Sequence, residues 1–379
     1  MPDIGDVLDV LDAWFVPDWA EEWDAVGLVC GDRREPVRRV LLAVDAVPTT
    51  VDQAVDSGAQ LLLTHHPLLL TGVHGVPADD PKGALVHRMI RSGVGHFVAH
   101  TNADVASPGV SDALAALLGV HDLRPLAPQT DPPMDKLVVY VPHDAEQPMI
   151  DALARAGAGR LGDYDRCAWT TSGTGTFRPL DGAHPAIGTV GDIEQVAESR
   201  VEMIVPTGRR AAVLAAMRAA HPYEEPAYDV LPMTPLPSAR GTGRVGELAE
   251  ATTLAGFTEA AARRLPATAW GVRAAGDPQR PVRSVAVCGG SGGSLAEQAR
   301  RAGADVLLTA DLKHHAAVEA VTERGGDGMA LIDAAHWATE APWLDALAAA
   351  LRARFGTTVD VDVSRTVTDP WTLHAPSPK

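Results

Sequence analysis

Cysteine is scarce in this sequence, whose 379 residues include only Cys30, Cys167 and Cys288. The number is odd, the positions are far apart and no Cys-x-x-Cys pair occurs, which argues against a disulfide framework and against a thiolate zinc site. Any transition-metal site must therefore be built from histidine and carboxylate side chains. The start of the chain is acidic and amphipathic and does not resemble a signal peptide. We therefore expect a protein of the reducing cytoplasm.

Long apolar runs and positive charge are also missing. The apolar runs are about as long as a strand, far short of the roughly 20 residues that a membrane helix needs, so no membrane association is expected. The 32 basic residues, of which four are lysine, are outnumbered by 49 acidic ones, and the formal net charge is −17. Such a field repels phosphate backbones. It disfavours a nucleic-acid partner, although it leaves room for a local basic patch.

The periodicity of the first 133 residues predicts alternating helices and strands, which is typical of a mainly parallel α/β sheet. At roughly 150 residues per domain, the length suggests two or three domains. The predicted strands are 37–47, 60–64 and 94–99, and the predicted helices are 3–15, 49–57, 81–92 and 111–118.

Two segments rich in proline and polar residues, 124–135 and 232–243, mark candidate domain boundaries. The pattern between them reads β-α-β-β-α-β, which fits a small ferredoxin-like α+β domain. The α/β pattern then resumes with strands at 282–288, 305–309 and 329–333 and helices at 253–265, 294–302, 313–323 and 339–355. We therefore predict an α/β domain, 1–133 and 236–379, that is split by an inserted domain, 134–235.

The two parts of the split domain share a phrase. Ser57-Gly-Ala-Gln-Leu-Leu-Leu-Thr64 resembles Ala302-Gly-Ala-Asp-Val-Leu-Leu-Thr309, and each ends a predicted strand before a polar loop. This similarity favours two related halves in a pseudo-symmetric arrangement.

Histidine is plentiful, and the strongest local motif is Thr64-His65-His66-Pro67. It follows a predicted buried strand, at the end where open α/β sheets bind their ligands. Adjacent imidazoles on a non-helical turn point in different directions, so they could serve two metals. The alternative is an ordinary loop whose imidazoles bond to the backbone.

Two further motifs supply nitrogen and oxygen ligands after predicted strands. His100-Thr-Asn-Ala-Asp104 places an imidazole and a carboxylate on one loop, a mixture suited to Zn, Mn or Fe. Its Asn and Asp could instead form a turn before Pro108-Gly109. In His336-Trp-Ala-Thr-Glu340, the i and i+4 side chains share a face if a helix begins there. The alternative is an exposed helix start with a favourable acidic residue.

Together the three motifs predict a centre of two divalent metal ions with nitrogen and oxygen ligands, which could activate water for hydrolysis. Zn, Mn, Fe, Co and Ni all accept such ligands, so the sequence does not choose among them. The residues concerned are His65, His66, His100, Asp104, His336 and Glu340.

These motifs, with Trp23-Asp24-Ala-Val-Gly27-Leu28, Gly241-Thr-Gly243-Arg-Val-Gly246 and Gly303-Ala-Asp305, resemble those of the NIF3 family of dinuclear metal-centre proteins, also called GTP cyclohydrolase 1 type 2 homologues. The resemblance implies a NIF3-like α/β domain, an inserted PII/CutA-like domain, and a toroidal homohexamer. The metal ligands that it implies are His65, His66, Asp104, His336 and Glu340. Glu340 would bridge the two metals.

The resemblance also suggests two catalytic candidates. His100 would support the ligands from behind or act as an acid or base, and His315 corresponds to a histidine near the site. The sequence departs from the family pattern in Ala335-His336-Trp337, where Gly-His-Tyr is usual. Ala310 also stands where glycine is common, and His314 where an aromatic residue is common.

Three other features allow two interpretations. Gly289-Gly-Ser-Gly-Gly-Ser294 lacks the lysine of a P-loop. It could still bind a phosphate through its backbone amides, or it could form only a tight turn between a strand and a helix. His221-Pro-Tyr-Glu-Glu225-Pro226 could bind metal, although its two prolines favour a rigid turn. Asp24 and Asp45 fall near the carboxyl edge of the sheet, and there we expect caps or loop anchors.

Two functions compete. The first is a metal-dependent hydrolase of a small molecule, for which the family's alternative name suggests GTP and attack at C8 of guanine. The second is a non-catalytic metal-binding or regulatory protein whose insert senses a small molecule or a partner.

Overall fold

A computed structural model describes residues 1–235, 237–322 and 328–375. The chain forms two compact units. The first comprises Met1–Gln129 and Ala239–Lys379, and the second comprises Thr130–Ser238. The expected insert therefore falls within the second unit.

The elements follow one another along the chain in three blocks. The first block contains α1 (Ile4–Trp14), β1 (Gly27–Cys30), β2 (Arg39–Ala43), α2 (Pro48–Asp56), β3 (Leu61–Thr64), α3 (Pro81–Arg91), β4 (Gly95–Val98), α4 (Thr101–Val105), α5 (Val110–Leu118) and β5 (Val120–Thr130). The second contains β6 (Met134–Pro142), α6 (Glu146–Arg155), β7 (Ala168–Phe177), β8 (Glu194–Pro206), α7 (Arg210–Ala220) and β9 (Tyr228–Pro232). The third contains β10 (Pro237–Thr253), α8 (Leu254–Arg264), β11 (Val272–Ala275), β12 (Pro281–Ser291), α9 (Ala296–Arg301), β13 (Val306–Ala310), α10 (His314–Thr322), β14 (Ala330–Ala334), α11 (His336–Phe355) and β15 (Asp360–Val363).

One sheet of the first unit has the strand order β1-β4-β3-β2-β15. Its strands are parallel except β1, which runs antiparallel to β4. β3 is buried along its whole length. Leu61 and Leu63 pack in one apolar cluster and Leu62 in another, as expected for a strand covered on both faces.

The other sheet has the order β11-β14-β13-β12-β10-β5. Here too an antiparallel strand, β11, lies beside three parallel ones, β14, β13 and β12. β3 and β13, each the third strand counted from the antiparallel edge strand, carry the similar phrases noted in the sequence. The repeated strand order agrees with the expectation of two related halves.

The proline-rich segments that we expected to be linkers are largely strand. β5 covers most of 124–135 and β10 covers much of 232–243, where Leu236 lies outside the described residues. Proline is tolerated at a sheet edge and at the first position of a strand, because no ladder hydrogen bond is lost there. β5 is an edge strand and Pro237 opens β10, so these segments are strands and not irregular linkers. The two units nevertheless divide within them, after Gln129 and after Ser238, as the predicted boundaries require.

The second unit has the β-α-β-β-α-β order of a ferredoxin-like fold. Its four strands pair antiparallel in the order β7-β8-β6-β9. Leu137, Val139 and Val141 of β6 pack with odd-numbered residues of β8 against α6 and α7. The even-numbered residues of these strands point to the opposite face, because side chains alternate along a strand.

Several helix boundaries differ from the predicted ones. α2 starts at Pro48, one residue before the expected start, and Val47 is its cap. The hydroxyl of Thr50 accepts the Val47 amide from inside the helix, at 3.0 Å. α11 begins three residues before the expected Thr339, at His336. The end of the helix expected at 313–323 lies outside the described residues. Within those residues, no helix is both long and apolar enough to cross a membrane.

Candidate metal centre

The predicted ligands lie where strands of the first unit end. His65 and His66 directly follow β3, and His100 follows β4 as the residue that caps α4. Asp104 lies within α4, a short helix where we expected a loop. His336 opens α11 after β14, and Glu340 lies one turn further on. Apart from the fully buried His65, all of these residues line a cavity of about 930 Å³.

Glu340 is the centre of the cluster. Its side chain is only 4% exposed and lies among three imidazoles. Its Oε1 is 3.0 Å from Nε2 of His336 and 3.5 Å from Nε2 of His65. Its Oε2 is 3.1 Å from Nε2 of His66. The two carboxylate oxygens therefore face different histidines, which suits a ligand shared by two cations.

Every histidine of the cluster is held from behind through its Nδ1 atom. The partners are the Ala99 carbonyl for His65 (2.9 Å), Asp45 for His66 (2.7 Å), Asp24 for His100 (2.8 Å) and Asp311 for His336 (2.6 Å). In a neutral imidazole, an acceptor next to Nδ1 keeps the proton on Nδ1, and the lone pair of Nε2 is then free to bind a metal. This is how proteins orient histidine ligands towards a metal.

The carboxylates behind the histidines were missed as functional residues. Asp24 and Asp45 were expected to be caps or loop anchors, and Asp311 was not singled out. Asp24 also accepts the backbone amide of Thr101 at 3.1 Å and its hydroxyl at 2.5 Å. Although burial opposes it, these hydrogen bonds and His100 hold the pKa of Asp24 well below its usual range.

The cluster separates the pKa values of its acids and bases. Burial would raise the pKa of Glu340, but the surrounding imidazoles hold it well below its usual range. Burial would likewise lower the pKa of the histidines, yet Glu340 and the outer carboxylates raise it to about 11 for His66 and about 9 for His336. Burial raises the pKa of Asp104. Without metal, protonated imidazoles therefore balance the charge of Glu340, and a bound cation would take the place of those protons.

The donor set fits divalent metal ions. His65, His66 and His100 form one group of ligand atoms within 4.8 Å of one another, and His66, His336 and Glu340 form another. Nε2 of His65 is buried without a hydrogen-bond partner among the described residues, and Oδ1 of Asp104 lies 3.8 Å from it. An unpaired buried nitrogen is costly unless something else binds it. His100 itself belongs to one of these groups of possible ligands, so its role is not limited to supporting the other ligands.

The glycine-rich segment provides room for the cluster. Gly290 has a φ of +63°, and a Cβ there would lie 2.4 Å from Oε1 of Glu340, so only glycine fits. The amides of Gly289, Gly290 and Gly292 donate to the hydroxyls of Ser111, Thr339 and Thr309. These amides are thus already bonded, and the phosphate-cradle interpretation is not supported.

Two other histidine motifs lie elsewhere. His315 is exposed on α10, where its ring contacts that of His314, and it does not line the cavity. The catalytic role of His315 therefore stays a prediction that rests on the resemblance alone. His221 bonds through both ring nitrogens, to the Tyr140 carbonyl and the Tyr223 amide. That pattern matches a rigid turn and leaves no nitrogen for a metal.

The pairing behind His66 leads to a first prediction. In Asp45→Asn, the charge that orients the His66 ring is lost while the shape is kept, and we expect metal affinity to fall by about 10–100-fold. Competition with a chromophoric chelator measures this change. Asp345→Asn, which removes a surface partner of Arg365, is the control and should bind metal normally. Equal affinity in both variants would contradict the orienting role.

Comparisons with known proteins identify the family of this chain. Residues 2–370 match the sequence profile of Duf34/NIF3 (NGG1p interacting factor 3). A Mycobacterium leprae protein named "GTP cyclohydrolase 1 type 2 homolog" is 50% identical over 98% of this chain and 96% of its own length. A Bacillus subtilis protein of the same name is 38% identical over 94% of each chain.

Solved structures show the same likeness. The crystal structure of a Bacillus cereus protein related to NIF3 has a TM-score of 0.72 and 34% identity, and the match covers 98% of this chain and 99% of that one. A Staphylococcus aureus structure reaches a TM-score of 0.82 at 28% identity, with coverage of 98% and 99%. With the profile match and these identities, the chain belongs to the Duf34/NIF3 family.

Proposed function

We propose that this protein is a cytoplasmic metal-dependent hydrolase that holds two divalent cations at the histidine and carboxylate cluster. The observation that carries the proposal is a set of four imidazoles whose Nδ1 atoms are all occupied, three of which direct Nε2 at the buried Glu340. A merely structural cluster would not need every ring oriented in this way.

The roles of the residues follow from their positions. His65, His66, Asp104, His336 and Glu340 would hold the cations, with Glu340 shared between them. Bound divalent cations lower the pKa of water and stabilise negative charge, which is the chemistry of hydrolysis. His100 lines the cavity and is held by Asp24, so its Nε2 can bind a ligand or pass a proton.

A small molecule with a planar ring suits the cavity wall. The indoles of Trp23, Trp270 and Trp371 line it, and the rings of Trp270 and Trp371 lie 5.7 Å apart. Among the described residues, no lysine or arginine lines this cavity. The phosphates of a nucleotide such as GTP, which the names of the relatives suggest, would therefore depend on the cations for their charge balance.

The proposal is tested by loading the purified chain with Zn, Mn, Fe, Co or Ni and assaying phosphoesters, amides and GTP. We expect turnover of at least one class that disappears with a chelator and in the double variant His65→Ala, His336→Ala. His121→Ala, which changes an exposed histidine, serves as the control. We also propose that the protein is a homohexamer, as the family resemblance implies. The molar mass of the same sample in solution tests this proposal.

The second candidate is a non-catalytic metal-binding or regulatory protein. It is favoured by a separate cavity in the second unit, which the hydrolase does not require. We propose that this unit is of the PII/CutA type, supported by its ferredoxin-like topology. If two metals are bound tightly but no substrate class is turned over, the hydrolase proposal is wrong and this candidate takes its place.

A further inference from the structure

The second unit contains a cavity of about 600 Å³ on the face of its sheet that the helices leave open. The floor is formed by even-numbered residues. Tyr140 of β6 pairs with Arg200 of β8, which pairs with Thr171 of β7. Residues 178–187 and the turn after α7 complete the wall. The cavity therefore has a defined shape that the ferredoxin-like core does not need.

Most of the wall is apolar. It includes the rings of Tyr140, Phe177 and Tyr223 and the side chains of Leu180 and Ile187. A wall of this kind binds the hydrophobic body of a small molecule, and the few polar groups in it fix the orientation.

Glu198 is the buried acid of this cavity. The residue is 9% exposed, and its carboxylate lies over Gly175, where a Cβ would approach Oε2 to 1.9 Å. Only glycine at position 175 leaves room for this carboxylate, because the side chain of any other residue there would collide with it. Burial and the nearby Glu198 raise the pKa of Tyr223 to about 12, so the phenol beside the carboxylate stays neutral.

Arg200 is the basic counterpart, two residues further along the same face of β8. One terminal nitrogen of its guanidinium pairs with Glu202 at 3.0 Å. Its Nε is buried and has no hydrogen-bond partner among the described residues. The buried Tyr223 hydroxyl lies beside the Glu198 carboxylate. A buried guanidinium nitrogen with unused hydrogen-bonding capacity is expected to bind something, although the Arg200 side chain as a whole is 42% exposed.

The motif His221-Pro-Tyr-Glu-Glu225 shapes this cavity. His221 fixes the turn through both ring nitrogens, and Glu224 accepts the His184 amide at 2.9 Å. That hydrogen bond connects the wall segment, residues 178–187, to the turn after α7. The turn then presents Tyr223 to the cavity. The motif is therefore the frame of a ligand site.

We propose that this cavity binds a small zwitterion, an α-amino acid with an apolar side chain. Its ammonium group would bind to Glu198 and its carboxylate to the guanidinium of Arg200, while its side chain would lie against the apolar wall. An acid and a base on one face of one strand complement opposite charges that are close together in the ligand, and charge-assisted hydrogen bonds are the strong ones.

The test is calorimetric titration of the full chain with L-phenylalanine and L-leucine, beside phenethylamine, which lacks the carboxylate, and 3-phenylpropionate, which lacks the ammonium group. We expect both amino acids to bind, and each truncated probe to bind at least about tenfold more weakly than phenylalanine. Tight binding of phenethylamine alone would identify a site for cations and overturn the proposal. Absence of binding by all four probes would do the same.

Variants assign the two ends of the ligand. Glu198→Gln and Arg200→Gln should each weaken phenylalanine binding at least about tenfold. The Glu198→Gln protein should no longer prefer phenylalanine over 3-phenylpropionate, which lacks the ammonium group. The Arg200→Gln protein should no longer prefer phenylalanine over phenethylamine, which lacks the carboxylate. Asp163→Asn, an exposed carboxylate of the same unit that does not line the cavity, is the matched control. Circular dichroism verifies folding. Unchanged binding in both folded cavity variants would contradict the proposal.

Discussion

Replacing Glu340 with glutamine is expected to lower metal affinity by at least about 100-fold, because losing only an outer partner of a ligand already costs about 10–100-fold. The carboxylate is buried, and its two oxygens face three imidazoles. Metal content after dialysis and competition with a chelator measure the loss. Glu259→Gln, at an exposed surface pair with Arg263, should leave the metal content unchanged.

The same variant should weaken the metal-free fold. Removing one partner of a buried ion pair leaves the other uncompensated and typically costs about 3–5 kcal/mol. Denaturant unfolding in the presence of a chelator measures this difference. A Glu340→Gln protein that binds metal like the wild type and unfolds at the same denaturant concentration would show that Glu340 is not the centre of the site.

The stability of the protein should depend on pH in opposite directions with and without metal. Without metal, His66 and His336 have pKa values of about 11 and about 9, both raised from 6.5. The stability that these two protonated imidazoles give to the folded state is fully present below about pH 6.5. It is lost as the pH rises through their folded-state pKa values. The free energy of unfolding should fall above pH 6.5, by up to about 1.4 kcal/mol per pH unit for each imidazole.

Metal binding reverses this trend, since a metal binds the deprotonated imidazole and its affinity therefore rises with pH. Unfolding midpoints recorded across the pH range, with a chelator and with Zn, should diverge as the solution becomes alkaline. His336→Gln should flatten the metal-free curve, whereas His315→Gln, at an exposed position, should not. Parallel curves with and without metal would contradict the assignment of these histidines.

The ligand candidates could be predicted because each motif is local. His65 and His66 are adjacent after a strand, and His336 and Glu340 are four residues apart, which is one helical turn. In contrast, Asp24 lies 76 residues from His100 and Asp45 lies 21 from His66 in sequence. Only the folded sheet brings these pairs together, so their role could not be deduced from spacing.

The errors have physical causes as well. The composition of β5 and β10 resembles that of a linker, but an edge position and a strand start tolerate proline. The expected loop at His100 is a short helix because Asp24 binds the amide and hydroxyl of Thr101 in its first turn. His315 stays a prediction from the resemblance, and its exposed position on α10 could not be deduced from a sequence phrase.

The division of the cluster between two stretches of sequence has a consequence for synthesis on the ribosome. His65, His66 and Asp104 emerge early, whereas Glu340 follows 236 positions after Asp104. At about 5–20 residues per second, that delay is roughly 10–50 seconds. During this interval the nascent chain exposes histidines that lack their central carboxylate. If the cluster holds metal as proposed, selective loading must wait until translation has passed α11, and the inserted unit lengthens that wait.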